Sequence, residues 1–312
     1  MEISEARIVF MGTSEISATV LDGLIKNGYQ IVGVVAQPDR PVGRKHILEA
    51  VPTKKIALEH NIPIFQPEKI RKDFAFMYDL KPDVILTLSY GQILPEALLN
   101  IPKLGAINLH GSLLPKYRGA APIQYAILNG EKETGMTLMK MVKEMDAGEM
   151  YAVKEVAISE EDNSSTLFIK MANVALELAL EALPKYLKGE LKGIPQDEEG
   201  VTFAPSIKPE EEKLDLNDTK ENLHNKIRAL ADIPGAYLLL NDEKFKIYKS
   251  KIYSNEVVGQ VGQIVKADKN GLLLQCKDGL LNLLEIQKQG KKRLDYKSFV
   301  NGNQDILNQI LK

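Results

Sequence analysis

A short segment, residues 104–122 (LGAINLHGSLLPKYRGAAP), holds two side chains whose types and spacing suit them to act together. Asn108 and His110 lie two residues apart in a run of strand formers, so an extended strand directs both side chains to one face. Gly111 and Pro115 then break the regular structure and favour a surface loop. An amide and an imidazole at a strand's exit suit the binding of a carbonyl oxygen and the movement of a proton. Taken alone, the pair fits equally a satisfied core histidine beside an asparagine that caps a turn.

The composition bounds the class of protein. The 312 residues are 44% hydrophobic and 26% charged with a net charge of −2, which is typical of a soluble globular protein with one large or two ordinary domains. No stretch approaches the roughly 20 apolar residues of a membrane-spanning helix, and the N-terminus lacks the features of a signal peptide. A single cysteine, Cys276, excludes an internal disulfide, and none of the four histidines has metal-ligand spacing. We therefore expect a cytoplasmic protein with no metal and no membrane partner, and take a monomer as the default.

The order of the predicted elements indicates two domains. Strand and helix signals alternate over the first half of the chain, which favours an α/β fold with a Rossmann-like, mostly parallel sheet. Two further strands and a helix over about 164–187 complete this domain, predicted over residues 1–187. Residues 188–213 are rich in Gly, Pro and charge and are interpreted as a linker. From 214 to 312, short strands separated by turn signals predict a small, OB-like β-barrel.

The first predicted βα turn, Gly12-Thr13-Ser14, lacks the G-x-G-x-x-G pattern, so a dinucleotide site is poorly supported. Ligands of open α/β sheets nevertheless bind at the carboxyl ends of the strands. Asn108, His110 and the segment 89–91 all lie at such ends. This edge is the predicted position of the active site.

Several segments, in this order, resemble the methionyl-tRNA formyltransferase family, whose members use 10-formyltetrahydrofolate. They are RIVFMGTSEISATVL at 7–21, QPDRPVGR at 37–44, SYGQILP at 89–95, residues 108–122, MDAG at 145–148 and GKK at 290–292. The resemblance extends over nearly the whole chain. The HGSLLP-x-x-RG pattern is shared with relatives that formylate other amines.

The resemblance implies a catalytic trio of Asn108, His110 and Asp146. The amine of initiator methionyl-tRNA would attack the formyl carbon, and the tetrahedral oxyanion would collapse to release tetrahydrofolate and give formylmethionyl-tRNA for translation initiation. Asn108 is suited to donate to the oxyanion, His110 to donate and move protons, and Asp146 to orient the imidazole and favour its protonated form. Without its partners, Asp146 fits an exposed turn aspartate.

The resemblance also implies where the substrates bind. The folate contacts fall on Ser112, Leu113, Leu114 and Pro115, with backbone contacts to the pterin from 90–94. Contacts to tRNA fall on Arg40, Arg44 and Lys45 after the second strand, and on Lys291 and Lys292 in the second domain, where basic side chains neutralise phosphates. A rigid turn and solvated charged loops are the alternatives for these segments. For Arg118, the folate tail, tRNA and a carboxylate partner are all left open.

The chain departs from the family pattern in its basic loop and its aromatic content. His46, Glu49 and Ala50 replace the basic residue, Thr and Pro expected there, and Glu49 opposes phosphate binding. Trp is absent, with Leu216 and Ile233 at positions where the family often has one.

Other functions compete with the one implied. A formyltransferase for a nucleotide sugar or a purine intermediate, or a hydrolase of formyltetrahydrofolate, would use the same trio. A non-enzymatic RNA-binding protein would have no need of it.

Overall fold

The computed structural model describes residues 1–42 and 47–312, which divide into two compact units. The first unit comprises Met1–Pro122, Glu133–Ala157 and Phe168–Pro205. The second comprises Ile123–Lys132, Ile158–Leu167 and Ser206–Lys312. The predicted domain boundaries at 187/188 and 213/214 remain predictions. By contact, the residues between 187 and Pro205 belong to the first unit.

Strands and helices alternate along the first 187 residues, as the sequence predicts. The strands are β1 Ile8–Gly12, β2 Ile31–Val35, β3 Arg40–Val42, β4 Ile47–Glu49, β5 Ile64–Phe65, β6 Val84–Leu88, β7 Ala106–His110, β8 Glu133–Lys140 and β9 Met150–Ala157. The helices are α1 Glu15–Lys26, α2 Pro52–Glu59, α3 Phe76–Leu80, α4 Glu96–Leu99, α5 Pro122–Leu128 and α6 Ser164–Leu187.

Among the described residues, seven of these strands form one sheet in the order β5-β2-β1-β6-β7-β8-β9. The pairs from β5 to β7 are parallel, and β8 and β9 extend the sheet antiparallel. Every residue of β1 and β6 is buried, as in strands covered on both faces. The predicted mostly parallel α/β sheet is confirmed. Since β1, β6 and β7 are parallel neighbours, their carboxyl ends meet at one edge of the sheet.

The hairpin of β3 and β4 was not predicted from the sequence. Arg40 pairs with Glu49 across it, and Pro41 pairs with Leu48. A proline and charged ends interrupt any alternation of apolar residues, and the side chains of β4 are exposed. Because these side chains are exposed, the sequence shows no hydrophobic alternation by which a strand could be recognised.

From Ser206 onward the chain contributes six strands and two α-helices to the second unit. They are α7 Lys220–Leu230, β10 Ala236–Leu240, β11 Glu243–Ser254, β12 Ile264–Asp268, β13 Gly271–Cys276, β14 Gly279–Lys288, β15 Leu294–Asp295 and α8 Tyr296–Asn301. Antiparallel pairing gives the order β10-β11-β14-β13-β12, with β15 on β14.

The C-terminal segment 308–312 closes this sheet into a barrel. On one side, Leu239 of β10 exchanges two backbone hydrogen bonds with Lys312, at 2.7 and 2.9 Å. On the other, Leu311 donates to Gly262 O at 2.8 Å, and Ile264 of β12 donates to Gln309 O at 2.9 Å. Residues 308–312 thus complete the predicted barrel. The side chain of Leu311, within this segment, lies in the core of the unit.

Helix α7 buries one apolar face, formed by Leu223, Ile227 and Leu230, in the same core. Thr219 is the N-cap of this helix, and its side chain accepts a hydrogen bond from the N–H of Asn222.

Within residues 1–42 and 47–312, no helix has both the length and the apolar character that crossing a membrane requires.

Candidate active site

Asn108 lies in β7 directly opposite Thr87 of β6, at the carboxyl ends of the two parallel strands. The Thr87 hydroxyl lies 2.7 Å from the amide oxygen Oδ1 of Asn108. Because a hydrogen bond at Oδ1 occupies the amide oxygen, the NH₂ group of Asn108 is left to donate to another acceptor. The side chain is only partly buried. This arrangement suits the stabilisation of a developing oxyanion.

His110 ends the same strand and is 5% exposed. Its Nε2 atom lies 2.9 Å from the carbonyl oxygen of Tyr117. Since a carbonyl oxygen only accepts, Nε2 carries the proton in this bond, and Nδ1 of the neutral ring is left with a lone pair. His110 therefore presents Nδ1 as the nitrogen that can take up a proton.

Asp146 lies beside that nitrogen, with Oδ2 at 3.7 Å from Nδ1 of His110. This separation corresponds to an ion pair with a protonated ring and is too long for a hydrogen bond. Oδ2 instead accepts a hydrogen bond of 2.9 Å from the N–H of Gly119. The orienting partner of the imidazole is thus Tyr117, while Asp146 is placed to stabilise positive charge on the ring.

The turn that carries Asp146 is tightly constrained. Asp146 has φ +52°, in the left-handed region that non-glycine residues rarely adopt. A Cβ atom on Gly148 would lie 1.9 Å from the carbonyl oxygen of Lys140, so only glycine fits there. Ser89 and Tyr117, at the same edge of the sheet, also have positive φ. Such strained residues persist where surrounding contacts hold them, which is common at functional sites.

The predicted folate loop, Ser112 to Pro115, packs against β8. The Ser112 hydroxyl donates to the carbonyl oxygen of Lys116 at 2.6 Å, and the Ser112 carbonyl accepts from the Thr137 hydroxyl at 2.7 Å. Leu114 N–H donates to Thr137 Oγ1 at 3.3 Å. Ser112 and Leu114 are buried, whereas Leu113 and Pro115 are half-buried. Leu113 and Pro115 are consequently the more accessible members of the loop.

The segment after β6 is held at its base. The carbonyl oxygen of Tyr90 accepts hydrogen bonds from Thr13 Oγ1 at 3.2 Å and from Gln37 Nε2 at 3.0 Å. Among the described residues, no backbone hydrogen bond engages the peptide groups of residues 91–94. The folate contacts predicted for this segment remain a prediction.

Arg118 is directed into the protein rather than toward a ligand. The side chain is 6% exposed, donates from Nε to Gln196 Oε1 at 3.0 Å, and pairs with Glu198 Oε1 at 3.0 Å. Of the three roles left open by the sequence, the carboxylate partner is the one observed.

Comparison with known proteins shows the family to which this chain belongs. Residues 6–183 match the formyl transferase family, and residues 206–304 match its C-terminal domain. The chain is 46% identical over 303 residues to the methionyl-tRNA formyltransferase of Lactiplantibacillus plantarum, with 96% of each chain covered. This chain belongs to the methionyl-tRNA formyltransferase family. The predicted family membership is confirmed.

One further relative supports this family, and one solved structure shares the fold. The methionyl-tRNA formyltransferase of Lactococcus lactis subsp. cremoris is 47% identical over 312 residues, with 96% of each chain covered. A solved structure of a HypX variant from Aquifex aeolicus shares the fold, with a TM-score of 0.69 at 16% identity. That match covers 97% of this chain and 50% of HypX, so the chain spans about half the length of HypX.

The basic residues predicted to bind tRNA lie in two regions. Arg40 is exposed on β3, while Arg44 and Lys45 lie outside the described residues, as does His46. Lys54 and Lys55, which follow the predicted tRNA-binding loop at 40–45, each form an ion pair with an acidic side chain. Lys54 pairs with Asp39, and Lys55 pairs with Glu49 at 2.9 Å.

In the second unit the basic residues Lys288, Lys291, Lys292 and Arg293 differ in their side-chain contacts. Lys288 donates to Asn303 Oδ1 at 2.7 Å. Arg293 pairs with Asp232 and Glu285 and lies 4.3 Å from the ring centre of Tyr248. Lys291 and Lys292 are exposed. The tRNA contacts predicted for Lys291 and Lys292 remain predictions.

Sequence reasoning missed Thr87, the Tyr117 carbonyl and Gln196 as parts of this site. A threonine near the end of an otherwise apolar strand is a signal that could have found Thr87. Tyr117 contributes a backbone atom, which leaves no trace in residue type. Gln196 lies 50 residues from Asp146 in a segment interpreted as a linker, so no local pattern marks it.

Proposed function

We propose that this protein transfers the formyl group of 10-formyltetrahydrofolate to the amino group of initiator methionyl-tRNA. The observation that carries the proposal is the meeting of Asn108, His110 and Asp146 at one sheet edge, in a chain 46% identical to a named methionyl-tRNA formyltransferase. Asn108 and His110 share a strand, and Asp146 lies beside the histidine.

The amide of Asn108 acts on the oxyanion. When the amine nitrogen attacks the formyl carbon, the carbonyl oxygen gains negative charge and the carbon becomes tetrahedral. The NH₂ of Asn108, oriented by Thr87, donates to that oxygen. Removal of one such donor typically lowers the rate by about 10²–10³-fold.

His110 moves the proton. The attacking amine becomes positively charged as the C–N bond forms, and Nδ1 of His110 takes its proton. The resulting imidazolium is stabilised by the Asp146 carboxylate at 3.7 Å. The His110 imidazolium then gives its proton to the folate nitrogen, so that the C–N bond between the formyl carbon and folate can break. This step returns His110 to its neutral form and releases tetrahydrofolate.

Residues 112–115 and 90–94 are the proposed folate contacts, with Leu113 and Pro115 presenting side chains and residues 91–94 presenting backbone groups. The proposed tRNA contacts are Arg40, Arg44, Lys45, Lys291 and Lys292. The proposed setting is the cytoplasm, and the proposed oligomeric state is a monomer. No metal enters the proposed chemistry.

The decisive experiment incubates the protein with 10-formyltetrahydrofolate and charged initiator methionyl-tRNA, with charged elongator methionyl-tRNA in parallel. Formylmethionyl-tRNA from the initiator alone is the expected result. Tetrahydrofolate without a formylated tRNA would mean that water accepts the formyl group, as in a hydrolase. Absence of folate turnover would contradict the proposal.

His110→Ala tests the mechanism within the same assay. Loss of the proton acceptor is expected to lower formylation by about 10²–10⁴-fold. Unchanged formylation would overturn the proposed role of His110.

A further inference from the structure

The side chain of Gln196 is attached to the turn that carries Asp146. Its Nε2 atom donates to the carbonyl oxygen of Asp146 at 2.7 Å and to that of Gly148 at 2.8 Å. Gln196 is 9% exposed. Both amide hydrogens are therefore used, in a buried setting, to hold two carbonyls of one turn.

The orientation of this amide is fixed by chemistry. Oε1 of Gln196 accepts from Nε of Arg118, which can only donate, and Nε2 faces two carbonyl oxygens, which can only accept. A flipped amide would place donor against donor at Arg118 and acceptor against acceptor at both carbonyls. Arg118 thus selects the orientation in which Gln196 can hold the turn.

The same loop reaches Asp146 by a second route. The N–H of Gly119 donates to the Asp146 carboxylate, and Arg118 is bonded through its backbone to residues 202 and 204 at 2.9 and 2.8 Å. The segment 196–204 therefore runs beside the loop 115–121 and fixes the backbone and the carboxylate of Asp146 together.

We propose that Gln196 is a positioning residue of the active site, which keeps Asp146 in its left-handed conformation and its carboxylate 3.7 Å from His110. This inference rests on the proposed function for its kinetic consequence. Without the two donated hydrogen bonds, the strained turn relaxes and the carboxylate moves away from the imidazole. A displacement of about 1 Å can lower a rate on the order of 100-fold.

Two variants separate this role from a general loss of stability. Gln196→Leu removes the hydrogen bonds to Arg118 and to both carbonyls at similar volume. Gln196→Glu keeps an oxygen for Arg118 but has no N–H for the two carbonyls. For both variants we expect kcat to fall by about 10- to 100-fold, with KM for folate and tRNA changed by less than about threefold. If Gln196→Leu does not fold, Gln196→Glu decides alone.

Gln275→Leu is a matched control in the second unit. Gln275 is fully buried, and its Nε2 also donates to two carbonyls, of Cys276 at 2.8 Å and Gly279 at 3.1 Å. It should lower the thermal midpoint about as much as Gln196→Leu and leave kcat near the wild-type value. If Gln196→Leu and Gln275→Leu lower kcat in proportion to the loss of thermal midpoint, the proposal is overturned. A wild-type kcat in Gln196→Glu would also overturn it.

Hydrogen exchange of the Gly119 amide tests the geometry without any reaction. Because this N–H is bonded to the Asp146 carboxylate, relaxation of the turn should speed its exchange by about five- to tenfold in both Gln196 variants and not in Gln275→Leu. Unchanged exchange would overturn the proposal. Faster exchange in a protein whose wild type fails to formylate tRNA would uphold the positioning of Asp146 and reject only the proposed function.

Discussion

The hydroxyl of Thr87 lies 2.7 Å from the amide oxygen of Asn108, across the parallel pair of β6 and β7. This hydrogen bond joins a catalytic candidate to a neighbouring strand at the point where both strands end. With its oxygen turned toward Thr87, the amide keeps its NH₂ group for another acceptor. An asparagine that rotated freely would present its oxygen as often as its nitrogen, and the oxygen repels an oxyanion.

Thr87→Val is expected to lower kcat by about fivefold to tenfold, the equivalent of one hydrogen bond of about 1 kcal/mol, because valine keeps the shape of threonine but cannot donate. Thr87→Ser should retain most of the rate. Steady-state formylation at saturating substrates measures the effect.

Thr53→Val provides the control for that substitution. Thr53 is fully buried and donates to the carbonyl oxygen of Gly12 at 2.8 Å, so its replacement affects stability in a comparable way. Equal decreases of kcat at positions 53 and 87 would mean that the Thr87 hydroxyl acts through stability and not through Asn108.

The exposed lysines of the second unit are expected to govern salt-dependent binding of tRNA. Replacing Lys291 and Lys292 together with Ala should weaken affinity and reduce the slope of log K against log salt by about one unit for each phosphate that a lysine no longer neutralises. Arg293→Ala should instead lower stability, since Arg293 holds Asp232, Glu285 and Tyr248. Titrations over a range of salt concentrations measure the slope. An unchanged slope in the double variant would remove these lysines from the interface.

The sequence allowed a mostly parallel sheet and the strand of Asn108 and His110 to be predicted, because burial enforces hydrophobic patterns of period two and 3.6. It placed Asp146 only through the family resemblance, since nothing local links a turn aspartate to a histidine 36 residues earlier. The acceptor for His110 is the backbone of Tyr117, and the donor for the Asp146 turn comes from Gln196. Contacts of these kinds arise only after the chain has folded, so residue types do not predict them.

Replacement of Leu311 tests whether the C-terminal segment stabilises the barrel of the second unit. Leu311 is 1% exposed within the core, so Leu311→Ala should lower the free energy of unfolding by about 2–4 kcal/mol. Leu307, four residues earlier, is 44% exposed, and Leu307→Ala should be nearly neutral. Chemical denaturation measures both. Equal effects would mean that the end of the chain does not hold the barrel closed.

His224 gives the second unit a dependence of stability on pH. Its Nδ1 lies 2.9 Å from Ser250 Oγ, and burial, with a further contribution from the Arg228 charge, lowers its pKa to about 4. In the unfolded chain a histidine has a pKa of about 6.5. Between these two values the unfolded state binds more protons than the folded state, so the free energy of unfolding falls as the pH falls through this window.

We expect the wild type to lose up to about 1.4 kcal/mol of stability per pH unit from this group as the pH falls from about 6.5 toward 4. His224→Gln keeps a polar group near Ser250 but does not titrate, so that part of the dependence should disappear. Urea unfolding at several pH values measures the difference between the two proteins. If the His224→Gln and wild-type curves stay parallel through this window, His224 is not the group responsible.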